Sequence, residues 1–180
     1  MTPSSDVPPE PDQSALDLAT RVFLALRAAG ETLATAESLT GGQLAALVTD
    51  VPGVSDTYLG GVVSYATELK ISLLGVSAEL VEEHGVVSGP CAEAMATGVR
   101  GLTGSTWALA TTGVAGPTAQ EGKPVGTVYV GIAGPGRVEA IELSLDGDRP
   151  TIQEQTCERA LAALDSALTE QVRRESRALG

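Results

Sequence analysis

Residues 35–42 read TAESLTGG, and how this stretch is parsed decides the fold. Leu33, Ala34, Thr35 and Ala36 have strand character, Glu37 and Ser38 end the run, and Thr40, Gly41 and Gly42 open a segment rich in alanine and leucine that suits a helix. A serine where a strand hands over to a helix can face a cleft while backbone N–H groups point at whatever it attacks. That geometry suits a nucleophile with an oxyanion site. It also suits a plain N-cap, either Ser38 or Thr40, which is the commoner use of such a residue. Both readings stand on the local sequence.

Working outward, residues 1–13 (MTPSSDVPPEPDQ) carry four prolines and three acids with almost nothing to bury, and read as a disordered leader. Ser14 is placed to cap a helix running to Ala29, whose Leu18, Val22, Ala25 and Leu26 share a face, with Gly30 as its C′ residue. A strand over 32–36 follows, then the helix opening near Gly41 and stopping before Pro52 and Gly53. Residues 58–65 (YLGGVVSY) lack a clear period and read as a central strand buried on both faces. Gly60 and Gly61 within it imply a bulge or a close backbone approach.

Beyond Tyr65 come a short helical turn through Thr67, Glu68 and Lys70, a helix from Ser77 to His84, and a helix from Pro90 to Leu102 with Pro90 in its first turn. Trp107 to Thr112 is a strand; residues 113–124 form a loop punctuated by glycine and proline. Strands over 125–132 and 137–145 flank Gly134, Pro135 and Gly136 and read as a hairpin. A long helix starts near Pro150. The predicted fold class is α/β: a three-layer α/β/α sandwich whose mixed sheet is mostly parallel and contains one antiparallel strand. The folded domain is set at 14–172, with a frayed tail over 173–180.

Composition narrows the function classes. Among 180 residues, 43% are hydrophobic, enough to fill one core. Phe23 and Trp107 are the only Phe and Trp, so that core is fine-grained. Twenty-three acidic against eleven basic residues give a net charge of -12, which leaves no basic stripe for nucleic acid. Cys91 and Cys157 lack a metal-ligand or CxxC spacing and read as buried free thiols of a reducing compartment. No secretory signal or membrane-spanning run is present; the expected location is cytoplasmic.

Familiar catalytic signatures are missing: GxSxG, HExxH, the dinucleotide fingerprint and zinc spacings. The run from Gly116 to Lys123 has the wrong glycine spacing for a phosphate loop, and Pro124 stands where a magnesium-binding hydroxyl belongs. His84, the single histidine, sits at a helix end where capping or surface exposure is its ordinary use. If Ser38 is a nucleophile, its base must come from Tyr65 or Lys70, both just past a strand end, where α/β proteins gather their chemistry. A lysine serves as base only when desolvation or a neighbouring cation keeps it neutral. The plainer alternative makes Lys70 a surface residue and Tyr65 an edge aromatic. Thr111, Thr112 and Gly113 end a third strand at the same edge, and the glycines beyond could form an anion nest.

Five segments taken in order carry more: AESLTGG at 36–42, SYATELKISLLGV at 64–76, GVVSGPCAEAMATGVR at 85–100, TTGVAGP at 111–117 and KPVGTVYVGI at 123–132. Together they closely resemble the CinA C-terminal domain family, over about residues 15–170. The resemblance implies a nicotinamide-nucleotide amidase, hydrolysing nicotinamide mononucleotide to nicotinate mononucleotide and ammonia without metal or cofactor. It implies Ser38 as nucleophile, Tyr65 and Lys70 as proton-transfer groups, and the N–H groups around Thr40, Gly41 and Gly42 as the oxyanion site, with Thr40 taking over the helix cap. Thr112, Gly113 and Gly116 would line the pocket. Arg149 would bind phosphate, or else cap and pair near the last helix. A stand-alone form of the domain and a homodimer are also implied. Departures from the family are Thr118, Ala119 and Gln120, where more glycine is usual, and Gln153, where an arginine is usual. Two other functions remain open: an amidase for another small carboxamide, and a non-catalytic nucleotide-binding or regulatory domain.

Overall fold

The structure is a computed structural model and describes residues 13–178; the leader read at 1–13 lies outside it except for Gln13. Helix α1 (Gln13–Ala29) already contains Ser14, which therefore sits in the first turn. At its other end Gly30 takes φ +67° and the Glu31 N–H donates to the Leu26 carbonyl at 2.9 Å, closing the helix as the glycine predicted. The following elements are β1 (Leu33–Glu37), α2 (Gln43–Thr49), β2 (Tyr58–Val63), α3 (Thr67–Ser72), α4 (Ala78–His84), α5 (Gly89–Thr103), β3 (Trp107–Gly113), β4 (Thr127–Gly134), β5 (Arg137–Ser144) and α6 (Arg149–Ala178). Ser77 caps α4 and Ser88 caps α5, each accepting an N–H three residues on. Helix α6 continues unbroken to Ala178.

The five strands lie in the order β2-β1-β3-β4-β5. This corrects the expected sheet. β1 pairs with β2 and β3 in parallel, whereas β3–β4 and β4–β5 are antiparallel, so the pairings divide equally and the sheet is not mostly parallel. The physical reason is position. The reversed strand, β4, is interior, and reversing an interior strand makes the ladders on both of its sides antiparallel.

A second correction concerns β2. It forms an edge, and its residues alternate between half-buried and exposed. Side chains are missing at Gly60 and Gly61, which hides that period in the sequence. The glycines do mark what they suggested: the register slips between Leu33 and Ala34, and a Cβ on Gly61 would lie 2.2 Å from Thr35 Oγ1.

The two faces of the sheet are packed differently. Leu33, Trp107, Leu109, Val130 and Ile132 meet α1, α2 and α6 in one core. Ala34, Ala36, Ala108, Ala110 and Ala133 meet α5 and the α3–α4 connection in the other. This alternation of large and small along β1 and β3 lets α5 come very close. A Cβ on Gly131 would stand 2.1 Å from the Ala92 carbonyl, contact closer than any larger residue permits. Helix α5 thus anchors Leu74 and Val76, just beyond α3, and α3 carries Lys70. β1 leads to β2 on one side, and the chain returns through α3, α4 and α5 to β3 on the other. A crevice outside the carboxyl ends of β1 and β3 is the expected result of such a switch.

Candidate active site

Ser38 stands directly after β1, and its N–H donates to the Thr111 carbonyl at 2.9 Å. Its hydroxyl opens into a cavity of about 260 Å³ that Lys70, Tyr65, Thr112, Gly113, Gly116 and Arg149 also line. Lys70 is only 1% exposed. Its Nζ donates to Ser38 Oγ at 3.0 Å, to the Ser64 carbonyl at 2.6 Å and to the Tyr65 carbonyl at 3.3 Å. The two carbonyls, delivered by the end of β2, leave the ammonium aimed at Ser38. Burial pushes the Lys70 pKa down from its ordinary value, opposed by Cys91 and Glu121 nearby. The surface alternative for Lys70 is thereby excluded.

The helix cap is neither serine nor threonine. Helix α2 starts at Gln43 with Gly42 as N-cap and no side-chain bond from it. The carboxylate of Glu37, itself 1% exposed, accepts from the N–H groups of Gly42, Leu44 and Ala45 at 2.8–3.0 Å and from Thr40 Oγ1 at 2.7 Å. Thr40 donates where a cap would accept, so the duty assigned to it belongs to Glu37. A negative charge at this helix start is also favoured by the macrodipole. The sequence signal was an acid ending a strand, five residues before the cap position and outside the usual capping interval. With Glu37 as the cap, Ser38 is released for the cavity.

Other expected site residues fall into two groups. Thr40 is fully buried, bonded to Thr111 Oγ1 at 2.7 Å. The Gly41 N–H donates to the Ser38 carbonyl and that of Gly42 to Glu37, so these two amides are already engaged. In the loop after Thr112, read as a possible anion nest, the Val114 N–H donates to the Thr127 carbonyl, and the Thr112 hydroxyl donates to the Val86 carbonyl. Thr112, Gly113 and Gly116 nevertheless form the cavity wall. Tyr65 is 59% exposed on the rim. Its hydroxyl faces Arg149 Nη1 at 3.4 Å, and its carbonyl, not its phenol, meets Lys70.

Arg149 is set by the start of α6. Asp148 accepts from the Thr151 N–H at 3.1 Å and hydroxyl at 2.6 Å, placing Arg149 in the first turn and Pro150 where its missing N–H costs nothing. Those bonds from Thr151 hold the Asp148 pKa below its ordinary value. Arg149 also donates to the Gly116 carbonyl, next to the cis Gly116–Pro117 bond. Gln153, one turn on, donates to the Leu39 carbonyl at 2.6 Å and accepts from Gln43 at 3.1 Å. The residue noted as a departure therefore fastens α6 to the turn after Ser38. His84 is half exposed beside Glu83 and does not line the cavity. Among the described residues no group of His, Cys, Asp or Glu could hold a metal ion, and no helix is long and apolar enough to cross a membrane.

A three-layer α/β protein with a serine–lysine pair at the switch point of its sheet is the class these features define. The sequence profile of the CinA C-terminal domain family matches residues 15–168, and the chain belongs to that family. A CinA-like protein from Frankia casuarinae is 57% identical over 122 residues, 68% of this chain and 28% of that protein. One from Anaeromyxobacter sp. is 48% identical over 153 residues, 84% and 37% respectively, so the chain spans about a third of the length of such relatives. Among solved structures, a CinA superfamily protein from Klebsiella pneumoniae matches with a TM-score of 0.85 and 38% identity, covering 88% of this chain and 99% of that one. The competence/damage inducible protein from Agrobacterium tumefaciens matches with a TM-score of 0.84 and 32% identity, covering 89% and 99%.

Proposed function

We propose that the chain is a nicotinamide-nucleotide amidohydrolase, converting nicotinamide mononucleotide and water to nicotinate mononucleotide and ammonia through a Ser38 acyl-enzyme. The observation that carries the reading is the buried Lys70 Nζ, 3.0 Å from Ser38 Oγ, with its pKa lowered. Neutral Lys70 takes the hydroxyl proton as Ser38 Oγ bonds to the amide carbon. The amides of Leu39 and Thr40, which follow Ser38, take the oxyanion role in this reading, since those of Gly41 and Gly42 are engaged. The lysine ammonium then gives its proton to the nitrogen, the C–N bond breaks and ammonia departs. Water attacks the ester, Lys70 receives its proton, and return of that proton to Ser38 Oγ frees the carboxylate.

Arg149, the rim cation, is assigned to the substrate phosphate, with the Tyr65 phenol beside it; Thr112, Gly113 and Gly116 shape the wall. No cofactor takes part in this scheme. Location in the cytoplasm and assembly as a homodimer belong to the same reading, the latter checked by light scattering.

One observation favours a second substrate choice. Thr118, Ala119 and Gln120, the departures from the family pattern, all line the cavity, and would retune it for another small carboxamide. Ammonia release from a panel of nicotinamide mononucleotide, its riboside, free nicotinamide and unrelated amides discriminates the readings. Turnover of the mononucleotide alone supports the first and turnover of another amide alone the second. Saturable binding without any turnover would sink both in favour of a binding domain.

A further inference from the structure

Loop 114–126 forms much of the cavity wall through Val114, Ala115, Gly116, Thr118, Ala119 and Gln120, and the turn before α5 contributes Val86 and Val87 opposite. One side chain joins the two walls. Glu121, an exposed residue, turns its carboxylate back onto the protein: Oε1 accepts from the Val86 N–H at 3.2 Å and Oε2 from the Val87 N–H at 3.0 Å.

Two backbone features serve this contact. Among the described residues Glu121 is the one non-glycine at positive φ, +51°, a conformation that persists only where its surroundings hold it. Gly85 stands at φ +76°, and a Cβ there would lie 2.4 Å from Glu121 Oε2. Reciprocal backbone bonds between Gln120 and Lys123, at 3.1 and 2.8 Å, close the loop tip and present Glu121 within it. The 86–87 turn is itself tied down from β3, where Thr112 Oγ1 donates to the Val86 carbonyl at 2.6 Å. At its other end the loop is tied by Arg149 on the Gly116 carbonyl.

We propose that Glu121 is a positioning residue for the reaction, a carboxylate clamp that fixes loop 114–126 against the 86–87 turn and so sets the substrate-facing wall formed by Thr118, Ala119 and Gln120. Its action through the loop is on binding and substrate range. Its charge, which opposes the lowering of the Lys70 pKa, is lost alike in both variants below, so their rates are compared on the high-pH plateau where Lys70 is neutral. Ser38 and Lys70 are held from elsewhere, by the ends of β1 and β2, so loosening the loop leaves the reacting pair in place. The kinetic part of the claim rests on the hydrolase reading above; the clamp itself does not.

The test combines amide hydrogen exchange with steady-state kinetics on the full chain carrying Glu121→Ala or Glu121→Gln. In Glu121→Ala, protection at Val86 and Val87 is lost while α5 stays protected. kcat/KM falls on the order of tenfold to a hundredfold, chiefly through KM. Glu121→Gln keeps one acceptor and sets its amide N–H against the other backbone donor, so it restores protection at one of Val86 and Val87 and part of kcat/KM, and it carries the test should the alanine variant not fold. Unchanged protection at Val86 and Val87 would overturn the clamp. A fall confined to kcat, or a glutamine variant no better than alanine, would overturn the positioning role. Wild-type protein inert on every carboxamide would remove the hydrolase reading while the exchange data still decide the clamp.

Discussion

Lys70 is the residue where fold and chemistry meet. Its three bonds aim a buried amine at Ser38, and burial lowers its pKa. In the proposed reaction Lys70 must be neutral to act as base, so the rate is expected to rise with pH through that lowered value and to level off above it, as a kcat/KM profile will record. The unfolded chain holds this proton more tightly, so the contribution of residue 70 to stability rises with pH between the lowered value and the ordinary lysine value. Lys70→Arg keeps the charge but cannot surrender a proton; it should lose about 10²- to 10⁴-fold in rate, and retention of wild-type rate would rule out the lysine as base. Ser38, Tyr65 and Lys70 could be picked out because all three follow strand ends. The direction of the Tyr65 ring could not, since no pattern in the sequence distinguishes a phenol turned to Ser38 from one turned to Arg149.

At the scale of elements, Glu37 shows why the handover from β1 to α2 was only half legible. Strand, acid, serine and glycines were all visible, but capping rules look three residues ahead, whereas this carboxylate reaches Gly42, Leu44 and Ala45 across the turn. Glu37→Gln keeps the shape but weakens charge-assisted bonds and forces an N–H donor against amide donors. A loss of about 1–3 kcal/mol in urea unfolding is expected, with activity reduced as the Ser38 turn relaxes; unchanged stability would show the cap to be dispensable. β2 was misread for a different reason: two glycines remove the side chains that would have shown an edge strand's alternation. α5 was readable because Pro90 suits a first turn and apolar residues recur on its buried face, while its cap, Ser88, was not read from the sequence.

At the scale of the whole molecule, the layers followed from the order of elements and the periodicity of the helices, while the balance of pairings did not. Recognising a hairpin at Gly134 to Gly136 identifies two antiparallel neighbours, but not that one of them also borders β3. Long-range adjacency of this kind has no local signature. The placement of the site is different, because a chain that crosses to both sides of β1 must leave a crevice at the strand ends, and Ser38, Lys70 and Thr112 gather there. The most direct test of the proposed reaction compares nicotinate mononucleotide formation by the purified wild-type chain and by folded Ser38→Ala. Steady formation by the wild type, lowered at least about a thousandfold in the variant, is the expected result; equal rates from the two proteins would contradict nucleophilic attack by Ser38.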